Sequence, residues 1–237
     1  MPRSQPRRVV SLVPSLTESV AATAPELLVG VTDWCTHPAD LAVARVGGTK
    51  NPRVEEVVAL RPDVVLANQE ENRAADLDAL RAAGIKVWMT DYETVPTALA
   101  GLATMVAALG LGSPRWLADA DDAWGQPWSG ERCTALVPIW RRPWMALGRD
   151  TFAGDVLRRV GVDNVLAASA ERYPRIDLDE LPAYDIVVLP DEPYAFSATD
   201  GPEVFAAPAR LVSGRHLTWY GPSLAEARGV LAEQLWR

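Results

Sequence analysis

Pro52-Arg53-Val54, continuing through Asp63-Val64-Val65-Leu66 to Glu70, returns as Pro174-Arg175-Ile176, continuing through Asp185-Ile186-Val187-Val188 to Glu192, each landmark 122 residues further on. Each copy reads as a short helix, a turn, a buried strand and an acidic strand end. A block repeated once at domain spacing predicts two similar α/β lobes, and two facing lobes make a cleft. Ligand capture is therefore the first function to consider.

The chain has 237 residues, 49% of them hydrophobic and 23% charged, enough to bury a core as one domain or two. A net charge of −8 and a pI near 4.9 argue against nucleic acid or an anionic membrane surface as the main partner. No apolar run approaches the ~20 residues of a membrane helix, so no membrane insertion is expected. The opening Met1-Pro2-Arg3-Ser4-Gln5-Pro6-Arg7-Arg8 is basic, but the apolar run behind it, 9–13, is too short for a signal-peptide core. No lipobox cysteine lies near the start. The expectation is a cytoplasmic protein, with an exported one as the alternative if the signal lies outside this sequence. Cys35 and Cys133 fall in different lobes and are expected as free thiols. With His37 and His216 as the two histidines, four-coordinate zinc has too few ligands, and neither a metal site nor an intrinsic cofactor is expected.

Strands over 8–13, 28–32, 64–67 and 86–89 alternate with helices that begin near Ser15 or cover 54–60 and 74–83. That alternation predicts a mostly parallel sheet covered on both faces. Ser15 reads as an N-cap, with Glu18 as its capping-box partner. The longest helical pattern covers 94–111, with Leu99, Leu102, Met105, Val106 and Leu109 along one side. A second helix over 115–124 and a Gly/Pro-rich stretch to 132 follow it. A strand over 135–139, helices over 152–160 and 224–236, and the repeat strand 186–189 make up the rest. The domain reading is an N-terminal α/β lobe at 1–93, a helical connector at 94–132 and a C-terminal α/β lobe at 133–237.

Three segments carry a family resemblance: Arg8-Val9-Val10-Ser11-Leu12-Val13-Pro14-Ser15-Leu16-Thr17-Glu18, the stretch from Leu60-Arg61-Pro62-Asp63 to Gly84-Ile85-Lys86-Val87, and Gly148-Arg149-Asp150-Thr151 running into Gly161-Val162-Asp163-Asn164-Val165. In this order they resemble the helical-backbone substrate-binding proteins of ABC importers, the class that carries cobalamin, haem and ferric siderophores, and within it the cobalamin-binding branch. The resemblance implies two Rossmann-like lobes with mostly parallel sheets, joined by a helical connector, with a ligand cleft between them. The segment 114–132 departs from the pattern: it is short for a backbone helix and carries Gly125, Pro127 and Gly130. In importer-coupled relatives one acid on each lobe docks onto the permease. Those positions fall here on Ala74 and Gly221, with Asp76 and Glu226 nearby; the missing acids make docking to an ABC permease doubtful and, with the missing signal, point to a cytosolic relative that binds without feeding a permease.

Ligands of open α/β sheets sit outside the carboxyl ends of the strands. The candidate ligand-binding residues are accordingly Ser15, Trp34, Thr49, Lys50, Asn51 and Glu70 in the first lobe, and Trp140, Arg141, Trp144, Arg149, Tyr194, Trp219 and Tyr220 in the second. The chain has nine tryptophans, and flat aromatic faces suit a large planar ligand. The competing reading is that they cap the lobes. Trp34 and Trp219 match aromatic ligand-contact positions of the cobalamin branch. Arg141 and Arg149 offer forked donors to carboxylate, phosphate or amide groups; the alternative is that they pair with nearby acids. Glu70, Glu71, Asp191 and Glu192 could serve as acid and base, but no Gly-x-Ser-x-Gly elbow, P-loop or dinucleotide fingerprint accompanies them, and no catalytic residue is assigned.

These readings point to a non-enzymatic binding protein for a small-molecule ligand, a corrinoid such as cobalamin or another large metal chelate, acting as a cytosolic carrier or sensor. The alternatives are an exported substrate-binding component of an ABC importer for cobalamin, haem or ferric siderophore, and an enzyme using the cleft carboxylates.

Overall fold

Val9, Val10 and the run Val64 to Ala67 are all aliphatic and essentially inaccessible to solvent, which only a strand covered on both faces allows. The computed structural model describes residues 5–237, so part of the basic opening, 1–4, lies outside the described residues. Two compact units make up the chain. One comprises Met1–Asp91, Leu99–Ala118 and Tyr220–Pro222; the other Tyr92–Ala98, Asp119–Trp219 and Ser223–Arg237.

In the first unit the elements run β1 (Val9–Ser11), α1 (Pro14–Ala21), β2 (Leu28–Val31), β3 (Ala44–Arg45), α2 (Val54–Ala59), β4 (Val64–Asn68), α3 (Ala74–Ala82) and β5 (Lys86–Thr90). The sheet order is β3-β2-β1-β4-β5, parallel throughout. Pro14 does not stop the chain short of a helix led by Ser15. It occupies the first helical turn of α1 and Val13 is the N-cap, because proline lacks the N–H that this position leaves unbonded anyway. Gly84, at φ +81°, supplies the left-handed residue behind α3.

Two asparagines brace the carboxyl end of this sheet. Asn72 Nδ2 donates to Leu12 O (3.3 Å) and Thr49 O (2.9 Å), and its Oδ1 accepts from Asn68 N (2.8 Å). Asn68 Oδ1 accepts from the N–H groups of Glu70 (2.8 Å) and Glu71 (3.1 Å), while Nδ2 donates to Tyr220 Oη (2.7 Å). Thr90 Oγ1 gives its proton to Ala67 O (3.0 Å), which leaves Tyr220 to donate to it (3.3 Å). Buried polar groups without partners are costly; here each asparagine is held by several.

The later elements are α4 (Val95–Ala108), α5 (Arg115–Trp124), β6 (Cys133–Leu136), β7 (Pro138–Arg141), β8 (Trp144–Ala146), α6 (Phe152–Arg159), β9 (Val162–Asn164), β10 (Ile186–Pro190), β11 (Ala209–Val212), α7 (Gly214–Thr218) and α8 (Leu224–Leu235). By sequence α4 and α5 each divide between the two units. The parallel sheet of the second unit has the order β11-β10-β6-β9, with β7 and β8 as an antiparallel hairpin. The single strand read over 135–139 is two strands, with Val137 between them.

The repeat survives in its strands. β4 and β10 cover 64–68 and 186–190, and the aspartate before each clamps the start of a neighbouring strand. Asp63 Oδ2 accepts from Arg7 N (2.7 Å) and Arg8 N (2.9 Å); Asp185 Oδ2 accepts from Thr134 N (2.7 Å) and Oγ1 (2.8 Å). Those donors hold the Asp185 carboxyl below its ordinary pKa. The helix of the second copy is absent. Arg175 bridges Met145, Ile176 N donates to Trp144 O (3.1 Å), and Asp177 turns the chain through its side chain. Extended pairing with the hairpin replaces the helix there, and Pro182 would have ended it within two turns. Cys35 and Cys133 are free thiols, as expected.

In the second unit Asp155 joins helix to helix. Its carboxylate accepts from Val95 N (2.9 Å) at the start of α4, from Arg159 (2.6 Å) and from Arg158. Burial alone would raise its pKa, but these donors outweigh it and hold the group below the ordinary value. A depressed carboxyl stabilises the fold above its unfolded-state pKa and loses that contribution as pH falls through the folded one. Asp155→Asn should therefore cost about 1–3 kcal/mol at neutral pH, the difference narrowing under acid, as read by urea unfolding at several pH values. Tyr220→Phe should cost about 1 kcal/mol in the same experiment, through loss of the hydroxyl shared by Asn68 and Thr90.

Candidate ligand-binding faces

Parallel sheets covered on both faces leave polar, reachable groups mainly at strand ends. In the first unit the loop after β2 presents Trp34, whose exposure of 66% is high for so large an apolar side chain. Its base is held firmly. Arg45 Nη1 donates to Thr32 O (3.0 Å) and Cys35 O (2.8 Å), and Cys35 Sγ lies against Thr17 Oγ1 (3.0 Å) and Thr32 Oγ1 (3.1 Å). Burial pushes the Cys35 thiol upward, so it is a packing group rather than a nucleophile.

Thr49, Lys50 and Asn51 form the turn closed by the bridge of Gly47 to Pro52. Thr49 offers its carbonyl to Asn72, as above, and Lys50 Nζ donates to Glu70 O (2.7 Å). The structure thus joins the turn 49–51 to Glu70 within one face. Ser15 is buried. A Cβ at Gly221 would lie 2.9 Å from Ser15 O, so the segment Tyr220–Pro222 rests directly on α1. Tyr220, 6% exposed, belongs to this first unit although the sequence places it in the C-terminal lobe. Its bonds to Asn68 and Thr90 explain the placement.

In the second unit the β7–β8 hairpin carries Trp140, Arg141 and Trp144. Trp144 stacks on Phe196 (6.0 Å, 6°) and meets Phe205 edge-on (5.4 Å), inside a cluster with Val187 and Leu189. Trp140 is 42% exposed. Arg141 pairs with Asp200 and Glu203, and Tyr194 Oη donates to Asp200 Oδ2 (2.7 Å). The reading of Arg141 as a donor to ligand therefore meets a competing bond set within the chain. Arg149 stands half-exposed, 3.7 Å from Asp150. Beside it a cavity of about 340 Å³ is lined by Glu93, Thr94, Gly148, Asp150, Thr151 and Asn164, among others.

Trp219 is 8% exposed. Its Nε1 donates to Glu192 Oε2 (3.3 Å), and the Arg215 guanidinium lies 5.9 Å from its ring. Burial holds the Glu192 carboxyl above its ordinary pKa, against the bond from Trp219. Asp191 Oδ1 accepts from Gly214 N (2.6 Å) at the start of α7. Gly214 has no room for a side chain, since a Cβ would lie 2.8 Å from Glu192 N. Of the four acids weighed for chemistry, Glu70 and Glu71 stand in a turn of the first unit, and Asp191 and Glu192 fasten α7 in the second. Among the described residues no group of three or more His, Cys, Asp or Glu is arranged to hold a metal ion, and no helix is long and apolar enough to cross a membrane. Asp200 and Asn72, which shape both faces, lie inside loops whose spacing carries no period, and no sequence signal marks them.

Residues 9–111 match the periplasmic binding protein family. An uncharacterised ABC transporter substrate-binding lipoprotein of Bacillus subtilis is 39% identical over 89 residues, 36% of this chain and 28% of its own. A vitamin B12-binding protein of Pectobacterium carotovorum is 25% identical over 187 residues, 74% of this chain and 67% of its own. The chain thus spans between about a quarter and two thirds of these relatives' lengths. Among solved structures, the periplasmic vitamin B12-binding protein of Vibrio cholerae superposes with a TM-score of 0.80 at 18% identity, covering 98% of this chain and 97% of its own. A periplasmic haem-binding protein from Pseudomonas aeruginosa gives 0.75 at 24%, covering 96% and 91%. These structures share the fold. The likeness to the periplasmic binding protein family thus lies in residues 9–111, the relatives matched include vitamin B12-binding proteins, and the fold is shared with these solved structures over nearly the whole length.

Proposed function

We propose that this chain is the exported substrate-binding component of an ABC importer, and that its ligand is a large flat metal chelate of the cobalamin or haem kind. The observation that carries the ligand class is Trp34, an indole 66% exposed at a strand end on a loop anchored by Arg45. Exposed aromatic surface on a rigid base buries area against a planar ligand at little entropic cost. Curated relatives described as vitamin B12-binding proteins and as an ABC transporter substrate-binding lipoprotein support the importer reading over a cytosolic carrier. Of the two first-turn acids near the docking positions, Asp76 on α3 is held by Arg73 (2.9 and 3.2 Å) with its side chain mostly covered, which leaves Glu226 on α8 as the acid for permease contact. Glu226 has a side chain 60% exposed and lies 3.0 Å from His216.

Ligand contact is assigned to Trp34 and the turn 49–51 in the first unit, and to Trp140 and Arg149 in the second. Trp219 and Tyr220 are assigned structural roles within their own units, since both are nearly buried and hydrogen-bonded. Tryptophan-fluorescence titration of the purified chain with cyanocobalamin and with haemin, corrected for ligand absorbance, should give saturable quenching by at least one of them at micromolar concentration or below. Trp34→Ala should weaken that binding about tenfold, equivalent to about 1.4 kcal/mol. Flat titrations with both would overturn the ligand class.

A further inference from the structure

Trp140 is one of two tryptophans with widely exposed rings, and its surroundings are built differently from those of Trp34. The ring stands edge-on to Tyr194 (5.6 Å, 80°). Tyr194 Oη donates to Asp200 Oδ2 (2.7 Å), and Asp200 pairs with Arg141, the residue next to Trp140. Arg141 also pairs with Glu203 and lies over the Trp144 ring at 5.5 Å. The loop presenting these acids is itself braced. Ser197 N donates to Asp200 O (3.0 Å), and Gly201 N donates to Glu203 Oε2 (2.6 Å). Gly201, at φ +128°, leaves no room for a Cβ, which would lie 2.7 Å from Phe196.

Two carboxylates on one guanidinium leave Arg141 no spare positive charge for an anionic ligand group; a cation for such a group falls to the exposed Arg142, whose carbonyl accepts from Trp140 Nε1 (3.3 Å). What the hairpin offers outward beside it is the indole. We propose that Arg141 and Asp200 are positioning residues whose ion pair, relayed through Tyr194, fixes the exposed face of Trp140 for stacking on a neutral, conjugated part of the ligand. This deepens the ligand reading above and rests on it. It assigns the hairpin a ligand surface that is flat and uncharged, such as a corrin or porphyrin ring face. Carboxylate, phosphate or amide recognition then falls to other groups.

A double-mutant cycle tests the coupling. Cyanocobalamin and haemin are titrated against the full chain carrying Trp140→Ala, Asp200→Asn or both, with thermal melts as a check on folding. Trp140→Ala should weaken binding about tenfold. Asp200→Asn should weaken it several-fold in the wild-type background and not at all when Trp140 is already alanine. Equal losses in both backgrounds, or no loss from Trp140→Ala, overturn the proposal. A second readout needs no ligand: the fluorine resonance of 5-fluorotryptophan at position 140, assigned by its disappearance in Trp140→Phe. In Asp200→Asn it should shift or broaden, and an unchanged line overturns the proposal. If the wild-type chain binds neither probe, the ligand reading fails, and the fluorine line alone decides whether Asp200 positions Trp140.

Discussion

The burial of the parallel strands on both faces constrains everything else in this protein. With Val9, Val10, Val64 to Ala67, Val187 and Val188 inaccessible, no polar side chain can stand mid-strand without losing water and finding no partner. Polar residues are therefore driven to the strand ends, where backbone groups also run out of ladder partners. The same ends serve as hydrogen-bonded closures for the sheets and as the surfaces a ligand can reach.

Closure and exposure compete there, residue by residue. Asn68, Asn72, Tyr220, Asp191 and Glu192 are turned inward to satisfy loop N–H groups, carbonyls or neighbouring side chains. Trp34 and Trp140 remain outward because each stands on a loop or hairpin whose base is already tied, by Arg45 in one case and by Arg141 with Asp200 in the other. Rigid bases under exposed indoles reduce the ordering cost of binding. The second unit also shows how an arginine beside an aromatic can act on a ligand indirectly, by fixing the ring instead of lending its charge.

The repeat illustrates how much of a duplicated pattern local physics preserves. Its strand and its leading aspartate perform the same task in both units, Asp63 clamping β1 and Asp185 clamping β6. The helix does not persist. Pro52-Arg53-Val54 enters α2, whereas Pro174-Arg175-Ile176 pairs with the edge of the β7–β8 hairpin, an element with no counterpart in the first copy. A neighbouring strand that can accept backbone bonds outweighs a weak helical preference.

By itself the sequence determined the alternation of strands and helices, the parallel character of the sheets, the ends of α3 and α5, and the repeat strands, because burial periodicity, Gly84 and Gly125 act within a few residues of where they stand. It also carried the family resemblance, since the motifs behind it are contiguous. Tertiary structure alone decided that Ser15 is buried beneath Gly221, that Tyr220 belongs with the first unit, and that Arg141 is engaged by Asp200 and Glu203. Each of these depends on partners between 59 and more than 150 residues away. No local pattern specifies such pairs. They form because a buried hydroxyl, amide or guanidinium must find a partner, and only the folded chain brings those partners within reach.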